Sequence, residues 1–291
     1  MSGCGSEPRA SRPATALLDD AITVGSFDFA ESELLAEIYA LALEDHGFEV
    51  KRMAGLGPRE LVQPALAAGL LEFVPEYSGT TLQFMTLEES KPVPGVDATH
   101  DALVKALAGG PLVALAPSPA QDRNVFVVTR ETADRYDLAA ITDLMEVAPR
   151  LTLGGPPECP TRPFCLVGLE KVYGLRFGSF VALDAGGPLT HHALQNGYVD
   201  VALLFTTDPR LIGGDLVELT DDRQLQPAEN VTPIVRHELL DRRGREFELL
   251  VNQVSGQMTT AGLRQLNARV AAGIDVSRVA REWLASQDLS P

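Results

Sequence analysis

The 291-residue sequence lacks an apolar stretch of the length that a membrane-spanning helix requires. Such a helix needs about 20 consecutive and mostly apolar residues. The longest candidate, at residues 112–116, is bounded by glycine and proline. A short apolar run with these boundaries is typical of a buried strand. We therefore expect no transmembrane helix.

Positive charge is scarce as well. Lysine and arginine together number 24, against 40 aspartate and glutamate residues, and the formal net charge is −16. Proteins that bind nucleic acids carry a basic surface that matches the phosphate backbone. The charge balance therefore argues against a nucleic-acid partner, and the acidic excess by itself serves solubility.

Motifs of catalytic, metal and cofactor sites are also missing. The sequence has no Ser/His/Asp or Cys/His signature, no glycine-rich phosphate loop and no dinucleotide fingerprint. The histidines show no metal-ligand spacing, and two of them are adjacent, which points them apart on a helix. They are His46, His100, His191, His192 and His237. We expect no enzyme activity, no bound metal and no cofactor.

Cysteine is rare, and its placement is informative. Two of the three cysteines, Cys159 and Cys165, flank a proline-rich loop with the sequence ECPTRPFC. A metal site would need more ligands at closer spacing. The pattern favours a disulfide between them, which indicates an oxidising, extracytoplasmic compartment. Such a bond would hold the loop that carries Arg162, while two unpaired buried thiols remain the alternative.

Hydrophobic periodicity predicts alternating strands and helices. A short apolar strand at 21–27 precedes a helical pattern that ends at Gly47, and a second strand follows at 48–55. Pro58 and Gly69 bracket the next helix, and residues 70–74 form the next predicted strand. This order is typical of a mostly parallel sheet covered by helices. The sequence therefore predicts an α/β protein.

One pattern occurs twice, in ALAAGLLEFVPEYSGT and in ALQNGYVDVALLFTTD. In each copy a helix ends at glycine, an acid follows three residues later, and an aromatic residue comes five residues after the acid. The aromatic residues, Tyr77 and Phe205, are 128 residues apart. Ligands of open α/β sheets bind beyond the carboxyl ends of the strands. We therefore expect two similar lobes, each offering one aromatic ring to a shared cleft.

Several segments resemble the solute-binding proteins of osmoprotectant ABC importers, which bind glycine betaine, choline or carnitine. The matching segments are ITVGSFDFAESELLAEIYALALEDHGFEV, PEYSGT, GGPLTHHALQNGYVDVALLFTTDPR and LNARVAAGIDVSRVAREWL. The resemblance covers roughly residues 21–288 and implies a two-lobed periplasmic-binding-protein fold of type II, with the cleft between the lobes. The implied lobes are 21–123 plus 229–291, and 124–228, with crossings near Asn124 and Glu229.

The resemblance also implies a set of ligand-binding residues. The family surrounds its quaternary ammonium ligand with four tyrosines, because a methylated cation cannot donate hydrogen bonds and is held by ring faces. The four cage positions fall on Tyr77, Asn124, Phe205 and Glu229. A family arginine that closes over the ligand falls on Arg162, and an asparagine of the first loop falls on Asp28. Two aromatic rings of the four are therefore present.

The N-terminal segment resembles the end of a bacterial lipoprotein signal. Cys4 lies in SGCGSEP, and residues 1–20 are rich in serine, proline and alanine. The resemblance implies a lipid on Cys4, a disordered tether over 1–20 and anchorage at the outer face of the cell membrane. A chance Ser-Gly-Cys is the alternative. The family further implies a monomer that captures a small molecule and delivers it to a membrane permease.

Two other functions share this fold class. Because two cage rings are replaced, a larger hydroxylated or aromatic ligand is one alternative, with the polar positions supplying hydrogen bonds. The other is a ligand sensor outside transport, such as the effector domain of a transcription regulator. That function calls for a DNA-binding helix-turn-helix segment, and the N-terminal residues show no such pattern.

Overall fold

A computed structural model of the chain describes residues 20–86, 95–287 and 289. Cys4 and the predicted tether, apart from its last residue Asp20, lie outside these residues. The strands, in chain order, are β1 (Ile22–Gly25), β2 (Val50–Met53), β3 (Phe73–Tyr77), β4 (Leu112–Ala114), β5 (Asn124–Thr129), β6 (Thr152–Gly155), β7 (Ser179–Ala182), β8 (Val201–Phe205), β9 (Leu216–Glu218) and β10 (Val231–Arg236).

The helices in the same order are α1 (Ala30–Asp45), α2 (Arg59–Ala67), α3 (Ser78–Met85), α4 (Val96–Leu107), α5 (Arg130–Tyr136), α6 (Leu166–Gly168), α7 (Pro188–Gln195), α8 (His237–Gln257), α9 (Thr260–Ala271) and α10 (Val276–Leu284). Helix α8 is interrupted at Gly244, whose φ of 70° is not helical. Short 3₁₀ turns cover Ile141–Glu146, Ala148–Arg150, Cys159–Thr161 and Pro209–Ile212, and a π-helical turn covers Leu169–Tyr173.

The strands form two sheets of five with equivalent topology. Their orders are β2-β1-β3-β10-β4 and β7-β6-β8-β5-β9. In each sheet a single strand is antiparallel to its neighbours, β10 in the first and β5 in the second. Each of these strands enters its sheet from the other half of the molecule. The predicted α/β architecture is confirmed, with two mixed sheets flanked by helices.

Two connecting segments, 115–123 and 219–230, join the sheets and run side by side. Gln121 and Asn230 form an antiparallel bridge, and the Asp122 amide donates to the Glu229 carbonyl over 2.9 Å. Helix α9 adds a further link, because the Asn267 side chain contacts both Glu31 of α1 and the Thr207 carbonyl after β8. The two halves are therefore joined by both connecting segments and by contacts of α9.

Each sheet has its own hydrophobic core. The core of the first sheet includes the fully buried rings of Tyr39, Phe73 and Phe247. In the second sheet, neighbouring residues of β5 point to opposite faces, so that Phe126 and Val127 belong to different apolar clusters. Separate cores on separate sheets are the physical basis of a two-lobed molecule.

The repeated sequence pattern corresponds to a repeated structure. Strands β3 and β8 occupy the same position in their sheets. The Glu72 carboxylate accepts a hydrogen bond from the Thr23 amide at 3.2 Å, and the Asp200 carboxylate accepts one from the Thr152 amide at 2.8 Å. In both copies, an acid after the glycine joins the start of one strand to the neighbouring parallel strand of the same sheet.

The strand prediction at 70–74 was displaced by a few residues. Strand β3 begins at Phe73 and continues to Tyr77, because Leu70 follows a glycine with φ of +81° and is 69% exposed. Tyr77 and Phe205 are therefore the last residues of β3 and β8 and do not lie in the following loops. This places both rings at the carboxyl edge of a sheet, on the structural frame itself.

Candidate functional site

A cleft lies between the two sheets and is lined by residues from both. It encloses about 900 Å³ of space free of protein atoms, including the part that is open to solvent. All six side chains assigned to ligand binding from the sequence line this cleft: Tyr77, Phe205, Asn124, Glu229, Arg162 and Asp28.

Aromatic rings from both halves meet in the cleft. The ring of Phe29 stacks on Tyr77 at a centroid distance of 6.1 Å and on Phe205 at 5.9 Å. Phe27 stacks on Phe29 at 5.9 Å, and Phe164 from the second half also lines the cleft. We call these five rings the aromatic cluster. Ring faces carry negative potential and attract cations that are poor hydrogen-bond donors.

Sequence reasoning missed three members of the aromatic cluster. Phe27 and Phe29 flank Asp28 in the loop that follows β1, and Phe164 lies inside the proline-rich loop. A signal was present, since the carboxyl end of a parallel strand is where ligands bind. The inventory of two rings carried over from the family was therefore too small for this cleft.

Glu229 is nearly inaccessible to solvent and faces the start of α3. Its Oε2 atom accepts hydrogen bonds from the amides of Gly79 and Thr80 at 3.0 and 3.1 Å. Among the described residues, nothing donates a hydrogen bond to its other oxygen. Burial raises the pKa of Glu229 to about 8, although the two amides and the charge of Arg59 favour the carboxylate.

Arg59 forms a buried ion pair at the base of the cleft. Its Nη2 and Nε atoms lie 2.7 and 3.1 Å from the Glu76 carboxylate, which also accepts a hydrogen bond from Gln63 at 2.6 Å. The Glu76 side chain is fully buried. The Arg59 guanidinium lies 5.1 Å from the centroid of the Phe27 ring. The positive charge of Arg59 is thus satisfied within the protein.

Arg162 reaches across the mouth of the cleft. Its Nη2 atom lies 2.8 Å from Oε2 of Glu60, which belongs to α2 in the other half of the molecule. A disulfide joins Cys159 to Cys165 and closes the loop that carries Arg162. The predicted disulfide is confirmed, and the alternative of two unpaired thiols is wrong. The disulfide therefore restrains the loop in which the Arg162 guanidinium contacts Glu60 of α2.

A buried polar network supports the cleft from behind. The Tyr77 hydroxyl donates to Glu31 at 2.8 Å, and Asn267 donates to the other Glu31 oxygen at 2.5 Å. Asp122 accepts hydrogen bonds from the Thr207 hydroxyl and amide at 2.8 and 3.1 Å. Burial and the adjacent Glu31 raise the pKa of Asp122 well above its usual range. The network holds the Tyr77 ring in one orientation.

Within the described ranges, no cluster of three or more His, Cys, Asp or Glu side chains is arranged to hold a metal ion. His191 is buried and bonds to Asp208 at 2.6 Å, which is a packing role away from the cleft. None of the helices in that part of the chain combines the length and hydropathy of a membrane span.

Two mixed sheets with exchanged strands, and a cleft between them, define the class of two-lobed solute-binding proteins. Residues 20–286 match the family model described as the substrate-binding domain of ABC-type glycine betaine transport systems. The chain belongs to this family. The resemblance seen in the sequence is therefore confirmed.

Individual relatives agree with this assignment. The chain is 28% identical over 273 residues to the glycine betaine-binding protein YehZ of Escherichia coli, covering 90% of this chain and 89% of that protein. It is 31% identical over 265 residues to a glycine-betaine-binding protein of Pseudomonas aeruginosa, covering 86% and 82%.

A similar solved structure is described as a glycine betaine/carnitine/choline ABC transporter. It superposes with a TM-score of 0.72 at 25% identity, and the match covers 92% of this chain and 99% of that chain. These relatives favour a receptor of an importer over an enzyme. They do not favour the two alternatives, a larger hydroxylated or aromatic ligand and a sensor outside transport.

Proposed function

We propose that this protein captures a quaternary ammonium solute in the cleft and delivers it to the membrane permease of an ABC importer. The observation that carries the proposal is the aromatic cluster, to which both halves of the molecule contribute. A methylated cation gains about 0.5–2 kcal/mol from each ring face it contacts. The relatives from Escherichia coli and Pseudomonas aeruginosa are glycine betaine-binding proteins, which agrees with this ligand class.

The cleft residues divide into two roles in this proposal. The rings of Tyr77 and Phe205, together with Phe29, which stacks on both of them, contact the methyl groups of the ligand. The polar contacts come from Asn124, Glu229, Arg162 and Asp28, all of which line the same cleft. The network behind Tyr77 holds that ring ready for the ligand, so that little ordering is needed on binding.

The wider setting follows from the same reasoning. We assign lobes to 21–123 plus 229–291 and to 124–228, which close on the ligand about crossings near Asn124 and Glu229. The protein acts as a monomer outside the cytoplasm, anchored by a lipid on Cys4. The disulfide between Cys159 and Cys165 supports an oxidising compartment.

Replacing Phe205 by alanine is expected to weaken ligand binding by about threefold to thirtyfold, because one ring face of the cluster is lost. Calorimetry with glycine betaine, choline and carnitine on the wild type and on Phe205→Ala measures this change. Tyr198→Ala is the matched control, since this ring is 67% exposed and is absent from the cleft lining.

The control should bind like the wild type. If no member of the panel binds the wild-type protein at millimolar concentration, the proposed ligand class is wrong. If ligands bind and Phe205→Ala leaves their affinity unchanged, the aromatic cluster is not the binding site.

A further inference from the structure

The cleft is rich in acids and poor in available cations. Within the part of the chain that the structure describes, the cationic side chains that line it are Arg59 and Arg162. Each is already paired with a carboxylate outside the lining, Arg59 with Glu76 at 2.7 Å and Arg162 with Glu60 at 2.8 Å. The acids that line the same cleft are Asp28, Asp122, Glu158 and Glu229.

The four acids that line the cleft lack an ion-pair partner among the described residues. Among the described residues, none of the four forms an ion pair with an arginine, a lysine or a histidine. Asp122 is turned toward the Thr207 hydroxyl and amide. The free oxygen of Glu229 and the side chains of Asp28 and Glu158 remain for the ligand. A site with this balance favours a ligand cation, which can stabilise the Glu229 carboxylate, over a ligand anion.

Quaternary ammonium solutes differ in what they carry besides the methylated nitrogen. Glycine betaine and carnitine also carry a carboxylate, whereas choline carries a hydroxyl. A ligand carboxylate in this cleft would lose its water without gaining, among the described residues, a cationic side chain that is free of another partner. A hydroxyl can donate to the Glu229 oxygen or bond to the Asn124 amide, both of which line the cleft.

We infer that the cleft selects a quaternary ammonium cation of the choline type, which carries a hydroxyl and no carboxylate, over the zwitterions glycine betaine and carnitine. The inference rests on the proposed function and narrows its ligand class. Glu60 acts as a specificity residue in it, because it occupies the Arg162 guanidinium that a ligand carboxylate would otherwise use.

The test compares choline chloride, glycine betaine and carnitine by calorimetry on the full chain. The wild type should bind choline at least about tenfold more tightly than either zwitterion, which corresponds to one lost charge-assisted contact. Glu60→Gln removes the charged partner of Arg162 and should raise the affinity for the zwitterions relative to choline by about twofold to fivefold.

Glu60 is exposed, so this variant should fold normally. Glu131→Gln is the matched control, because it breaks an exposed ion pair with Arg135 on α5, outside the cleft lining, and should leave the ratio of affinities unchanged.

The outcomes separate the inference from the proposed function. Equal or tighter binding of glycine betaine by the wild type overturns the inference and leaves the proposed function standing. If the ratio of the choline affinity to the zwitterion affinity is the same in Glu60→Gln as in the wild type, the role of Glu60 is wrong, and the physical basis of the selectivity is wrong with it. Failure of all three ligands to bind overturns the proposed function itself, and the inference falls with it.

Discussion

Replacing Glu76 by glutamine is expected to lower the free energy of unfolding by about 3–5 kcal/mol. The variant keeps the shape of the side chain and removes its charge, so the Arg59 guanidinium stays inside the protein without its partner. Arg59 is only 12% exposed and Glu76 is fully buried, so water cannot replace the lost contact. Urea denaturation of the unliganded protein measures the loss.

The matched control is Glu131→Gln, which removes the charge of Glu131 from its ion pair with Arg135. The Glu131 side chain is 79% exposed. Pairs of that kind contribute about 0.3–0.5 kcal/mol within a helix. A loss for Glu76→Gln no larger than the loss for Glu131→Gln would contradict the assignment of the Arg59–Glu76 pair as a buried ion pair.

The two-lobed architecture was accessible from the sequence because it depends on local patterns. A glycine that ends a helix, an acid three residues later and an aromatic residue five residues beyond are all visible within a short segment. Each copy makes the same local contacts, such as those of Glu72 with Thr23 and of Asp200 with Thr152. Repeated local chemistry therefore predicted repeated structure.

Elements whose formation depends on distant partners were not predicted. Strand β10 is buried between β3 and β4, far from it in the sequence, and the long helix α8 follows it. Arg59 and Glu76 lie on different elements, and only the folded cleft brings them together. Pairings of this kind have no short-range periodicity from which they could be inferred.

The sequence indicated where the candidate site should lie, but it indicated only some of the residues that line it. The resemblance to the family assigned Arg162 to ligand binding, and in the structure its side chain lines the cleft. Its partner Glu60 is 102 residues away in sequence, so no motif connects the two. Phe29 was adjacent to a predicted site residue, yet its stacking on rings from both sheets depends on how the two lobes face each other.

Glu229 is the cleft residue through which ligand binding is expected to depend on pH. Its free oxygen lies in the cleft, and its surroundings comprise the charges of Arg59 and Glu76 and the amides at the start of α3. Burial raises its pKa from the ordinary value of 4.5 to about 8, so the carboxyl group of the unliganded protein is mostly protonated at neutral pH. Its contribution to stability is therefore present below pH 4.5 and is lost as the pH rises through about 8.

Binding of choline, or of another organic cation without a carboxylate, is expected to release a proton from Glu229. The cation stabilises the carboxylate beside it and lowers the pKa of Glu229 in the complex. Affinity should therefore rise with pH by up to about tenfold per pH unit below the pKa of about 8 and level off above it.

Calorimetry in two buffers with different ionisation enthalpies counts the released proton, and titrations between about pH 6 and about pH 9 give the slope of affinity against pH. Glu229→Gln cannot ionise, so its affinity for the cation should be nearly independent of pH over this range and weaker than that of the wild type above pH 8. Glu131→Gln should follow the wild-type profile, because its carboxylate is exposed and is absent from the cleft lining. If the affinity of the wild type depended on pH as little as that of Glu229→Gln, the cation would not approach Glu229. The polar contacts of the ligand would then have to come from Asp28 and Glu158.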